Sequence, residues 1–132
     1  MSALLLDTNV VSILFNKNHR SRDSCLRAVA GHELAISFMS RVELLLWPAT
    51  NNWGELRRTK LMRHLDLYTT LYPDGITCSI WADIVAHCRS AGRPVQTADA
   101  WIAACARQWG LPLVTADVRD FEVIPDLSIV AV

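Results

Sequence analysis

The fold class predicted for this chain is α/β, with a mostly parallel sheet. Three observations predict it. Short, continuous apolar runs recur along the 132 residues, and continuous rather than alternating runs suit strands buried on both faces. Between them lie longer segments with apolar residues at helical spacing. The two kinds of segment alternate, as they do in a sheet whose parallel strands are joined by helices. At this length one domain, residues 1–132, is expected.

The elements follow in order. Ala3-Leu4-Leu5-Leu6 is the first buried strand, ended by Asp7-Thr8-Asn9. Val10 to Phe15 reads as a short helix and Asn16 to Arg20 as a polar loop. Ser21 can cap a helix to about Ala30, with Gly31 as its stop. Leu34 to Ser37 is a second strand. Ser40 opens a third helix, through about Trp47, before Pro48. Trp53 to Leu67 is a long amphipathic helix that carries many of the cations. Tyr68 to Ile76 is ambiguous and can hold a short strand. Cys78 to Ser90 is helical, with Trp81, Ile84, Val85 and Cys88 at i, i+3, i+4 and i+7, and Gly92 stops it. Ala98 to Trp109 is the clearest helix, with Trp101, Ile102, Cys105 and Trp109 on one face. Leu111 to Thr115 is a strand, followed by a turn at Ala116-Asp117. Ser128 to Val132 is the last strand.

Composition excludes several classes. With 52% apolar and 20% charged residues, the chain is too hydrophobic for disorder. No apolar run nears the roughly 18 residues of a membrane span. The start, Met1 to Asp7, lacks a basic region and is cut short by an acid, unlike a secretory signal. A soluble, cytoplasmic protein is therefore expected. Cys25, Cys78, Cys88 and Cys105 form no CxxC pair, so they read as buried structural thiols rather than zinc ligands. No phosphate-binding GxxxxGK[ST] loop occurs. Thirteen cations balance thirteen acids, so net charge gives no sign of a nucleic-acid partner. Charge can still be local, and Arg57 to Arg63 holds four cations in seven residues.

Open parallel sheets bind ligands beyond the carboxyl ends of their strands. Asp7 directly follows the first strand and Asp117 closely follows the Leu111–Thr115 strand. Each alone reads as an ordinary cap or turn residue; together at one sheet edge they suggest a site. Asp99 lies in a helix first turn, where the dipole favours an acid. Its neighbours are small and apolar, and Thr97 is available as the cap. Glu43 completes a capping box with Ser40, yet its helix follows the second strand and can face the same crevice. Four carboxylates in one place stay ionised only with a cation among them. Oxygen ligands suit Mg²⁺ or Mn²⁺, and phosphodiester hydrolysis is the natural chemistry.

Four segments carry a family resemblance: Leu4-Leu5-Leu6-Asp7-Thr8-Asn9, Ser40-Arg41-Val42-Glu43-Leu44, Asp99 to Ala106, and Leu113 to Phe121. In this order they resemble the PIN domain family, and within it the VapC-type toxins of toxin–antitoxin pairs. The resemblance covers Ala3 to about Ala131. It implies a three-layer α/β/α fold with four or five strands and a Mg²⁺- or Mn²⁺-dependent endoribonuclease. It assigns the four acidic positions to Asp7, Glu43, Asp99 and Asp117. Asp7 and Asp99 would hold the metal most directly, Asp117 would bind it or a second ion, and Glu43 would orient or deprotonate the attacking water. Thr115 becomes a supporting or phosphate-contacting hydroxyl, and Thr8, Asn9 and Asp120 are further candidates around the site. Asp120 could also replace Asp117 as the fourth acid. The resemblance further implies an RNA substrate (a tRNA or ribosomal RNA), a cognate antitoxin and a homodimer.

The sequence departs from the family pattern where Leu44-Leu45-Leu46-Trp47-Pro48 replaces a stretch that often holds a small residue, and where Ala116 stands for a polar one. A haloacid-dehalogenase reading fails because Asn9 replaces its second Asp. A PIN-like module that binds RNA or protein without cutting is the alternative. Trp81, Trp101 and Trp109 read as packing residues; Trp47 and Trp53 are candidates for stacking on a base or a partner.

Overall fold

The structure, a computed structural model, describes residues 2–132. Strands β1 (Ala3–Leu6), β2 (Glu33–Ser37), β3 (Thr69–Leu71), β4 (Leu113–Thr115) and β5 (Ile129–Ala131) form one sheet, in the order β3-β2-β1-β4-β5. All four pairings are parallel. The six helices are α1 (Thr8–Phe15), α2 (Arg22–Val29), α3 (Phe38–Thr50), α4 (Glu55–Leu65), α5 (Gly75–Ser90) and α6 (Thr97–Trp109).

The period of two along each strand divides the core between two faces. Leu4, Leu6, Ile36 and Val114 face one side, where they meet Val10, Val11 and Leu14 of α1, Cys25 and Val29 of α2, Leu44 of α3, and Leu61 and Leu65 of α4. Leu5, Ala35 and Leu113 face the other side, against Ile84, Val85 and Cys88 of α5, the Ala100–Ala106 run of α6, and Phe121. Leu5 and Leu6 are both fully buried, which explains the unbroken apolar run: each side chain has its own helical layer to enter. The short strands β3 and β5 close the two edges.

Several boundaries differ from the sequence expectation, each for a local reason. Helix α1 begins at Thr8 rather than Val10, because the Asp7 carboxylate accepts the Thr8 amide and caps it. In α2, Ser21 holds the cap position but makes no side-chain cap bond. Helix α3 begins at Phe38, two residues before Ser40. Its cap is Ser37, whose hydroxyl accepts from the Ser40 amide at 3.1 Å; the expected Ser40–Glu43 capping box does not form. The same helix runs through Pro48 to Thr50. Proline removes one amide donor only in the last turn, and the Pro48 carbonyl is used by the Trp53 amide and the Arg58 guanidinium. Helix α4 is shorter than expected, starting after Gly54.

The ambiguous stretch does contain a strand, β3, and α5 starts earlier than expected at Gly75. There Asp74 and Thr77 form a capping box. The Asp74 carboxylate also accepts from Gln108 near the end of α6, at 3.0 Å. In α6, Gln96 rather than Thr97 occupies the cap position. Gly110 ends that helix at φ +63°, a left-handed conformation that glycine adopts without strain. All four cysteines are free; Cys25, Cys88 and Cys105 are buried as expected, whereas Cys78 is exposed.

Candidate active site

Strand order places the site. From β1 the chain moves outward through β2 to β3, then returns to build β4 and β5 on the other side of β1. The reversal lies between β1 and β4, where such sheets leave a crevice beyond the strand ends. The Asp7 amide donates to the Val114 carbonyl at 2.9 Å, so Asp7 and Thr115 leave the sheet side by side.

Asp7 is buried, with 5% of its surface exposed. One carboxylate oxygen accepts from the Thr8 amide and the other from the Thr115 hydroxyl, both at 2.8 Å. The Thr115 hydroxyl in turn accepts from the Asp117 amide at 2.9 Å. Asp117 itself is exposed, and its carboxylate accepts from the Asn9 side-chain amide. Across the crevice, the Thr8 hydroxyl donates to Glu43 at 2.8 Å and also bonds Ser40 at 2.8 Å. Asp99 projects from the first turn of α6. The start of that helix is held by Trp101, which stacks on Trp81 and meets Phe38 edge-on, each at 5.4 Å between ring centroids.

The electrostatics describe one acidic cluster. Burial pushes Asp7 up to about 6, partly opposed by the bonds from Thr115 and Thr8 and reinforced by the charges of Asp117 and Glu43. Asp99 is pushed up to about 7, first by burial and then by the charges of Asp7, Asp120, Glu43 and Asp117. Asp117 therefore acts on both central acids. Asp120, at the end of a 3-10 turn over Val118–Asp120, acts on Asp99. Repulsion among ionised acids is what a cation would relieve. Among the described residues, no three His, Cys, Asp or Glu side chains stand close enough to ligate one ion together.

Thus Asp7, Glu43, Asp117 and Asp120 all lie within electrostatic reach of Asp99, with Thr8, Asn9 and Thr115 bonded among them. Sequence reasoning missed Ser40 as a partner of Thr8, because the capping box seemed to use it up. The tryptophans divide differently. Trp81 packs against the core and Trp101 packs on Trp81 and Phe38, while Trp109 is exposed. Trp53 is buried and Trp47 packs beside it, 5.0 Å between rings, so neither is a free stacking platform.

Away from the acids, a cleft of about 910 Å³ opens between the ends of α1 and α3 and the outer face of α4. Lys17, Arg57, Lys60, Arg63, Leu56 and Leu67 line it. Arg57 lies 3.7 Å above the centre of the Trp53 ring. None of these cations forms an ion pair among the described residues, where Arg93–Glu122 is the one such pair.

Comparison with known proteins places the chain in a family. The family model for the PIN domain matches residues 4–127. Ribonuclease VapC1 of Haemophilus influenzae is 27% identical over 129 residues, covering 94% of this chain and 93% of that protein. Among solved structures, VapBC-1 from nontypeable Haemophilus influenzae aligns with a TM-score of 0.84 at 26% identity, over 98% of this chain and 97% of that one. VapBC-5 from Mycobacterium tuberculosis, a member of the VapBC family of toxin-antitoxin systems, aligns with a TM-score of 0.72 at 25% identity, over the full length of both chains. With its parallel sheet, two helical layers and acids at the chain reversal, this protein belongs to the PIN domain family.

Proposed function

We propose that this protein is a Mg²⁺- or Mn²⁺-dependent endoribonuclease, acting in the cytoplasm as the toxin of a toxin–antitoxin pair. The observation that carries the reading is the acidic cluster at the β1/β4 reversal, where Asp7 and Asp99 are pushed up by burial and by neighbouring acids. The VapC1 relative, a ribonuclease by name, supports the same reading.

The donor set fits a hard cation. All the side chains are oxygen donors, and Mg²⁺ keeps several waters while taking only one or two carboxylates. That preference suits acids too widely spaced to ligate one ion as a trio. Asp7 and Asp99 would hold the ion, with Asp117 alongside. When bound, the ion offsets charge on the scissile phosphate and lowers the pKa of water. The protein's own groups do the rest. Thr115 and the Thr8 amide fix both oxygens of Asp7, and Asn9 fixes Asp117. Glu43 accepts the proton of the attacking water at its free oxygen. Attack in line with the leaving oxygen yields a 5′-phosphate and a 3′-hydroxyl.

The cationic cleft is read as the place where the antitoxin docks. Its exposed leucines, Leu56 and Leu67, and its unpaired cations suit a segment bearing apolar and acidic side chains. Val42, Leu45 and Leu46 lie exposed on α3; their near-helical spacing makes one apolar face, which we assign to a homodimer.

Purified protein should cut total cellular RNA into discrete fragments with Mg²⁺ or Mn²⁺ but not with EDTA, and Asp99→Asn should cut nothing. The fragments identify the substrate as a tRNA or a ribosomal RNA. Binding without cleavage, in protein shown free of antitoxin, would replace the nuclease with the binding-module reading.

A further inference from the structure

We infer that Ser40 and Thr8 form a two-hydroxyl clamp that positions Glu43 for the reaction. The inference rests on the nuclease reading and deepens it. Ser40 is fully buried, and its amide is tied to the Ser37 hydroxyl. Its own hydroxyl therefore sits on a fixed backbone, 2.8 Å from the Thr8 hydroxyl. Thr8 lies 2.8 Å from Glu43 Oε1. A threonine hydroxyl has one proton and two acceptor sites. An ionised carboxylate can only accept, so the Thr8 proton goes to Glu43 and the Ser40 proton goes to Thr8. Each bond polarises the next, and the chain ends on the carboxylate.

Two consequences follow. Glu43 is held by one oxygen, while Oε2 makes no hydrogen bond among the described residues and is left to receive a proton. Thr8 also joins the two acids: its amide fixes Asp7 and its hydroxyl fixes Glu43. Without the hydroxyl, a long side chain with several free torsions stands beside like charges and turns outward. Ser40 and Thr8 are thus positioning residues that act through Glu43. A purely structural role for the pair needs only the Ser40–Thr8 bond, which satisfies both hydroxyls without the carboxylate.

The test uses single-turnover cleavage of an RNA oligonucleotide spanning the mapped cut site. Thr8→Val keeps the shape and the amide while removing the donor. It should lower kcat about 10- to 100-fold, a share of what general base catalysis supplies, with KM changed less than about threefold. Thr8→Ser should recover to within about threefold of the wild type, and Ser40→Ala should lose about 3- to 10-fold. Thr8→Val with Glu43→Gln should be no worse than Glu43→Gln alone, since both act through one group. Mn²⁺ affinity by calorimetry should hold in Thr8→Val and Ser40→Ala. Unchanged kcat in Thr8→Val, a serine variant as weak as the valine one, or losses that multiply in the double variant would overturn the clamp. Should Thr8→Val fail to fold, full activity in folded Ser40→Ala overturns it equally. If the wild type cuts nothing with either metal, the nuclease reading fails and the clamp fails with it; if the wild type cuts, only the clamp is at stake.

Discussion

At the β1/β4 reversal, the charged groups are anchored at the points where the backbone leaves the sheet. Asp7 caps a helix while both of its oxygens are held, and its burial leaves little room to move. Along α4, by contrast, Arg57, Lys60 and Arg63 are exposed at the ends of long side chains. The net charge of zero hides both regions, which differ in how their charges are held. Fixed, desolvated acids raise each other's energy and favour a small hard cation. Exposed cations can meet an acidic partner at little desolvation cost, and that attraction weakens as salt rises.

The largest predicted effect tests the acid end. On the proposed reading, Asp99→Asn should abolish metal-dependent cleavage, at least about 1,000-fold, because it removes one of the two acids assigned to hold the ion. The same variant should make the metal-free protein more stable near pH 8. An aspartate raised in the folded state to about 7 from its ordinary 3.8 costs stability once the unfolded chain ionises. That cost grows as pH rises from about 4 to 7 and is full above it, on the order of 1–2 kcal/mol after discounting for solvent at a half-buried group. The gain in melting temperature should therefore vanish below pH 4. Mn²⁺ should stabilise the wild type and not the variant. A destabilised variant at pH 8 would mean that burial and repulsion do not govern Asp99.

Thr115→Val comes next. It removes the hydroxyl that donates to Asp7 and accepts from the Asp117 amide. Mn²⁺ affinity measured by calorimetry should fall about 10- to 100-fold, the usual cost of losing a partner that orients a ligand. Arg57→Glu with Lys60→Glu turns to the cleft. Antitoxin affinity should fall about tenfold at low salt and less at high salt, while RNA cleavage is kept. Loss of cleavage with antitoxin binding intact would instead make the cleft an RNA surface and erase the division of labour. Smallest is Ser37→Ala, which should cost about 1 kcal/mol through loss of the α3 cap. Ser21→Ala, at a cap position without a side-chain bond, should cost less; thermal melts compare the two.

Much of this arrangement was legible in the chain. The Ala3–Leu6 run announced a central strand because both of its faces are buried. The same reading put Asp7 at its carboxyl end, where local geometry alone sets the position. What escaped depends on contacts between distant segments. Ser40 looked like a cap because its spacing from Glu43 satisfies that pattern; only α3's true start at Phe38, fixed by Ser37, frees it to meet Thr8. The Trp53 ring looked exposed because it flanks a polar loop, yet Phe15, 38 residues away, stacks on it with 6.0 Å between ring centroids. The 3-10 turn that carries Asp120 spans three residues, too short to announce itself by periodicity.

The pairing of β1 with β4 carries a consequence for timing. Leu6 pairs with Val114, and Asp7 receives its second hydrogen bond from Thr115. A growing polypeptide thus carries Asp7 and Glu43 long before the groups that orient and complete their cluster exist. Such long-range parallel contacts are also among the slowest to form. If the protein cuts RNA, the ribosome that makes it is shielded from its product until Thr115 has been translated and has joined the sheet.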